Sequence, residues 1–128
     1  MIEEKYVSAK LATLLREKGF REPCRQYYDY YDKLYFERFP YDYNSMSDTC
    51  ISAPTLYMVM EWLRINHNLF IELRTGEINQ KTWYDFDIIP INGRVVSWEI
   101  LDDISIVECD LPEEAIEIAV RYCLENLL

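Results

Sequence analysis

Carboxylates are the abundant reactive groups of this 128-residue chain. Asp85-x-Asp87 sets two of them on one side of an alternating segment, because successive side chains of a strand point to opposite faces. Glu99, on the strand expected to follow in a hairpin, would bring a third. Oxygen donors of this kind suit a divalent cation such as Mg²⁺, which could activate water for a hydrolytic reaction. Metal-dependent nucleases also place a Lys on the same strand in an E-x-K pattern, and the one such triplet, Glu3-Glu4-Lys5, stands in the first turn of a predicted helix. The plainer reading is a solvated outer sheet face. Trp83 shares that face, and a large ring there implies a second covering layer or a contact surface.

Other reaction chemistries find little to work with. Three glycines, Gly19, Gly76 and Gly93, cannot form the phosphate-cradling patterns G-x-x-x-x-G-K-[ST] or G-x-G-x-x-G. No G-x-S-x-G elbow occurs, and any nucleophile–histidine pair would have to use His67, the single histidine. His67 lies in Asn66-His67-Asn68 at a predicted helix end, where a capping or packing role is the simpler reading. Cys24, Cys50, Cys109 and Cys123 are spaced by 26, 59 and 14 residues, so zinc-ribbon and thioredoxin spacings are absent. Buried free thiols in a reducing compartment are expected, and no cofactor.

The charge excludes a further class. The chain holds 13 basic and 23 acidic residues, net −10, which makes direct binding of a nucleic-acid backbone a poor expectation, since that binding is driven by Lys and Arg. The acidity is uneven. Residues 1–64 hold nine basic and ten acidic side chains, net −1, whereas 65–128 hold four and thirteen, net −9. Between Arg94 and Arg121 there is no basic residue, while Glu99, Asp102, Asp103, Glu108, Asp110, Glu113, Glu114 and Glu117 supply eight negative charges. Some of these suit a helix N-terminus; the rest mark an acidic face for a protein partner or a mimic of DNA.

Aromatic residues form the other conspicuous group. Tyr27 to Tyr43 carries nine rings in seventeen residues, seven Tyr plus Phe36 and Phe39. Base-stacking platforms pair rings with a basic groove, and four acids against two bases argue against that here. Hairpin packing and recognition of a protein partner remain, the latter because Tyr offers large contact area at low entropic cost. The residues marked for a partner are Tyr27, Tyr28, Tyr30, Tyr31, Trp83, Asp102, Asp103, Glu114 and Glu117.

The elements that must position these groups follow from periodicity. Val7, Leu11, Leu14 and Leu15 predict a helix over residues 3–18, stopped by Gly19. Arg25–Tyr31 and Leu34–Phe39 predict a hairpin turning at Asp32-Lys33, and residues 40–50 a loop. Ser52-Ala53-Pro54-Thr55 looks like a capped helix start, with Leu56, Val59, Met60 and Leu63 as its apolar stripe to about His67 and Asn68 as its left-handed stop. The period then falls to two. Leu69–Arg74 predicts a short strand ending at a Thr75-Gly76 turn, and Thr82–Ile91 another, joined through an Asn92-Gly93 type I′ turn to a strand from Arg94. Ile104–Cys109 predicts a last strand. Asp110-Leu111-Pro112-Glu113 then predicts a capping box before a helix over 112–127 burying Ile116, Ala119, Val120, Cys123 and Leu127. This order predicts one α+β domain over 1–128, two-layered, with a mostly antiparallel sheet and about three helices on one face.

Gly19-Phe20-Arg21-Glu22-Pro23-Cys24 with Tyr27-Tyr28, and Ser52-Ala53-Pro54-Thr55-Leu56 with Trp62-Leu63-Arg64 and His67-Asn68, resemble a family of small uncharacterised proteins of gut anaerobic bacteria. Its members often lie near prophages and other mobile elements. The resemblance implies the same α+β fold and a cytoplasmic setting, and brings no catalytic residue. No signal-peptide pattern follows Met1 and no membrane segment is expected. The expected function is a non-enzymatic accessory protein that binds another protein, a homodimer being one form of it. The alternative is a small metal-dependent hydrolase or ligand-binding domain using Asp85, Asp87 and Glu99.

Overall fold

The computed structural model describes residues 4–90 and 109–128 together with the backbone of 96–97. Its class is α+β with antiparallel sheets, in agreement with the sequence pattern. Two compact units are formed, residues 1–58 and 59–128. They also divide the charge: the first holds eight basic and nine acidic side chains, the second five and fourteen.

In the first unit α1 (Ala9–Glu17) is capped by Ser8, whose Oγ accepts the Leu11 amide at 3.2 Å. The helix begins six residues later than its apolar spacing predicts, because the preceding backbone is used elsewhere. Val7 N donates to Pro54 O at 3.0 Å, Leu56 N to Lys5 O at 2.9 Å, and Tyr6 bridges Thr55. Gly19 closes α1 at φ +93°, a conformation that costs glycine nothing. Then β1 (Cys24–Tyr28) and β2 (Leu34–Tyr41) form the tyrosine hairpin, and a short helix, α2 (Tyr43–Met46), falls where a plain loop was expected. Among the described residues there are thus four helices rather than three. β3 (Ile51–Ser52) pairs antiparallel with β1, giving the order β2-β1-β3. Ser52 therefore belongs to a strand and is buried. The helix start it was expected to cap lies three residues on, where Thr55 Oγ1 accepts the Met58 amide at 3.1 Å.

The buried polar residue Asn44 ties this unit together. Its Nδ2 donates to Phe20 O at 2.9 Å and its Oδ1 accepts Ser52 N at 3.0 Å. Phe20, Cys24, Ser52, Ala53 and Pro54 are all fully or almost fully buried. Residues 19–24 of the first motif and 52–54 of the second thus supply core and turn positions of this unit, while residues 62–68 of the second motif fall in the other one.

Helix α3 (Leu56–His67) runs as its stripe predicts, and Asn68 ends it at φ 56°. His67 packs its ring edge-on against Trp62, centroids 4.7 Å apart, which is the packing role expected of it. The second unit is organised on a hairpin of β4 (Leu69–Ile78) and β5 (Lys81–Pro90), with ten consecutive antiparallel pairs. Its turn is Asn79-Gln80, at φ 52° and 65°, so β4 passes straight through the predicted Thr75-Gly76 turn. Gly76 sits opposite Trp83 in this ladder, and a β-carbon there would overlap the indole. β6 (Val96–Ser97) pairs with β5 through Asp87↔Ser97 and Ile88↔Val96, as a strand after Arg94 should. Cys109 bridges Tyr84, each donating its amide to the other's carbonyl at 2.9 Å.

Helix α4 (Pro112–Tyr122) packs on β4 and β5 and continues as a π-helical turn over Cys123–Leu127. It buries Ala115, Ala119, Val120, Cys123 and Leu124. Ile116 is half-buried and Leu127 exposed, a shift of the expected stripe by part of a turn. Its N-cap is Leu111, with no side-chain cap, so the predicted box on Asp110 does not form. Asp110 instead meets Lys81 Nζ at 3.2 Å in an exposed ion pair. The Asn92-Gly93 turn, Trp98, Glu99, Asp102, Asp103 and the Ile104–Glu108 part of the last predicted strand lie outside the described residues.

Candidate functional site

The carboxylates are better described as an internal ion cluster than as an outer face. Asp85 is 4% exposed, which corrects the expectation of a solvated surface there. Its cross-strand partner is Arg74. Arg74 Nε lies 3.2 Å from Asp85 Oδ1 and its Nη1 donates to Asp87 Oδ2 at 3.5 Å. One guanidinium therefore bridges both acids, which lie two positions apart on β5 and so share its face. This cation occupies the electrostatic role that a divalent ion would take. Among the described residues no group of three or more His, Cys, Asp or Glu side chains is disposed to hold a metal. Trp83, on the same strand face, is half-buried over Gly76 and walls a recess of about 380 Å³ with Ile78, Asn79, Lys81, Thr82 and Asp110.

The tyrosine hairpin behaves differently. Asp29 organises its turn: Oδ1 accepts the amides of Tyr31 at 2.8 Å and Lys33 at 3.0 Å, while Asp32 takes a left-handed φ of 60°. These amides, Lys33's foremost, hold the Asp29 carboxyl below its ordinary value. Behind the turn, Tyr27 stacks on its cross-strand partner Tyr35 with centroids 5.3 Å apart and meets Tyr43 at 4.6 Å, and Tyr43 meets Tyr41 at 5.8 Å. On the opposite face Tyr6 packs edge-on against Phe36. Tyr28 donates its hydroxyl to Val7 O at 2.6 Å.

The predicted partner residues therefore separate into two groups. Tyr27 and Tyr28 are half-buried framework, whereas Tyr30 and Tyr31 at the turn are 80% and 85% exposed. Phe36 and Phe39, at 60% and 58%, join Tyr41 and Met46 as exposed apolar groups that were not singled out from the sequence. The signal for Phe36 and Phe39 was their place in the ring-rich segment; nothing in the loop chemistry pointed to Met46. On α4, Glu114 is exposed and Glu117 half-buried.

None of the four cysteines forms a disulfide, and Cys24, Cys109 and Cys123 are buried. Burial pushes the Cys24 and Cys123 thiols up to about 12, the opposite of what a nucleophile needs. No helix among the described residues is long and apolar enough to cross a membrane. Neither a family model, nor a curated protein sequence, nor a solved structure matches the chain.

Proposed function

We propose that this chain is a protein-binding accessory module, without catalytic activity of its own, that meets its partner through the β1–β2 hairpin. The observation that carries this is the exposure of Tyr30, Tyr31, Phe36, Phe39 and Tyr41 on one hairpin, with Met46 close behind in sequence. Large rings in such numbers are costly to leave in water and are the residue types that dominate protein contacts. A cytoplasmic setting and a link to mobile elements are part of the same proposal and rest on the family resemblance.

Photo-crosslinking from position 31 in the cell that encodes the protein tests it. A defined adduct from position 31, absent from position 117 on α4 and lost in Phe36→Ser/Phe39→Ser, is the expected result. An adduct from position 117 alone would move the contact to the acidic unit, where the DNA-mimic version belongs.

The rival reading, a metal-dependent hydrolase at Asp85, Asp87 and Glu99, requires an ion to displace the Arg74 guanidinium. Thermal-shift titration with Mg²⁺, Mn²⁺ and Ca²⁺ should leave the wild-type melting temperature unchanged. A metal-dependent rise that Asp85→Asn abolishes would favour the hydrolase instead.

A further inference from the structure

β2 ends the strand order β2-β1-β3, so among the described residues its outer edge has no neighbouring strand. Its pairing with β1 is interrupted as well. Gln26 faces Phe36 and Cys24 faces Tyr41, which leaves Glu37, Arg38, Phe39 and Pro40 opposite Arg25 alone. Arg25 Nε donates to Glu37 O across this bulge at 3.2 Å. All six positions from Phe36 to Tyr41 are exposed. An edge of eight residues is a template for an added strand, since among the described residues no strand pairs with its outer side.

Charge decides which strand fits. Two copies of β2 paired antiparallel about a two-fold axis set one residue against its own copy, and at the middle of this strand that residue is Glu37 or Arg38. Like charges directly opposite are unfavourable, and Pro40 has no N–H to contribute. Self-pairing is therefore opposed. A basic strand meets Glu37 without that like-charge clash, Pro40 withholding its N–H from either guest, and the hairpin already shows how its rings receive cations. Lys33 Nζ lies 5.2 Å from the centroid of Tyr35, and the Arg38 guanidinium 5.4 Å from that of Phe39. Asp29, Asp32, Glu37 and Asp42 outnumber those two cations in the same segment.

From the open edge, the ring–cation geometry and the acidic surplus together, we infer that β2 binds an extended Arg- or Lys-bearing segment of another protein as an added strand. The guest's cations lie on the exposed ring faces and its backbone pairs with the edge. This rests on the hairpin being the interaction surface and names the chemistry of what it takes.

Isotope-labelled full-length protein titrated with Arg-Thr-Arg-Val-Arg-Thr-Arg, its Glu counterpart and its Gln counterpart tests the idea by amide chemical shifts. The Arg peptide should perturb Leu34–Tyr41 and leave Lys81–Pro90 unmoved, and the Glu and Gln peptides should perturb neither segment. Phe36→Ser/Phe39→Ser should weaken binding about tenfold, from the loss of two ring–cation contacts. Glu37→Gln, which keeps shape and removes charge, should weaken it less. Equal binding of the Gln or Glu peptide at β2 would overturn the basic-strand inference while keeping the hairpin as an interaction surface. Arg-peptide shifts confined to 109–128 would overturn it too, as unspecific attraction to the acidic unit. If no peptide touches β2 and position 31 gives no crosslink, the inference and the underlying proposal fail together.

Discussion

The Trp83 indole lies across Gly76, its cross-strand partner, in the space a β-carbon at that position would need. Gly76 is therefore fixed by a neighbour and not by a turn. Gly76→Ala should force the indole out of place and cost about 1–3 kcal/mol, the usual range for overpacking. Urea denaturation followed by tryptophan fluorescence checks this. A red-shifted native spectrum with a lower midpoint is expected, and an unchanged spectrum and midpoint would refute it.

Arg74 lies two positions before Gly76 on β4 and faces Asp85 across the ladder. Arg74→Met leaves Asp85 and Asp87 deprived of their shared cation and should cost about 3 kcal/mol, the lower end for breaking a buried pair because Arg74 is itself partly exposed. Asp85→Asn should cost less, since the guanidinium can turn toward water. Equal effects in thermal unfolding would mean that the ion pair is not what sets the stability.

Asn44 joins the end of α1 to β3 through two backbone groups. Asn44→Ala should cost about 2–3 kcal/mol, the penalty for orphaning a buried acceptor and a buried donor. Hydrogen exchange at the Ser52 amide should accelerate by more than at Ile71, which lies in the other unit; parallel acceleration at both would argue for general loosening.

Gln80 holds a left-handed φ of 65° that glycine adopts without strain. Gln80→Gly, giving Asn-Gly in the β4–β5 turn, should stabilise the protein by about 1 kcal/mol. A chemical denaturation midpoint that falls instead would show that the Gln80 side chain has a role of its own.

Alkaline pH should unfold the protein early. Burial pushes the thiols of Cys24 and Cys123 up to about 12 from 9.0, and burial followed by the Glu37 carboxylate pushes the Tyr43 hydroxyl up to about 12 from 10.0. These groups keep their protons in the fold while the unfolded chain releases them from about pH 9 upward, so the native state binds more protons there. Stability is full below that point and is lost as the pH rises toward 12. Tyr43→Phe should flatten the fall, and it should not harm the fold at neutral pH, because the Tyr43 hydroxyl is buried with no hydrogen-bond partner among the described residues. In the native state Cys50, half-exposed, should be the first thiol to react with a disulfide reagent, with Cys24 and Cys123 reacting only on unfolding.

These residues also show which parts of the molecule the chain states locally. The α3 stripe, its Asn68 stop, the tyrosine hairpin and the alternation of β5 were legible, because each depends on neighbours within a few positions. The start of α1 was not, since Lys5 and Val7 spend their backbone groups on residues about fifty positions away. Gly76 misled by its type: glycine usually marks a turn, and here it makes room for a ring. That misplacement hid the ion cluster too. With the turn set at Asn79-Gln80, Arg74 falls opposite Asp85, and the cation that bridges Asp85 and Asp87 becomes visible in the sequence.

The β4–β5 ladder has a consequence for the order of folding. Its ten pairs close outward from a two-residue turn, each adding little loop-closure cost, whereas β1 meets β3 only after a loop from Tyr28 to Ile51 is closed. A hairpin of this kind forms on the order of 1–10 μs. The acidic unit should therefore acquire its first structure before β3 joins the tyrosine hairpin, so the unfinished molecule exposes that hairpin's aromatic edges while the other half is already taking shape.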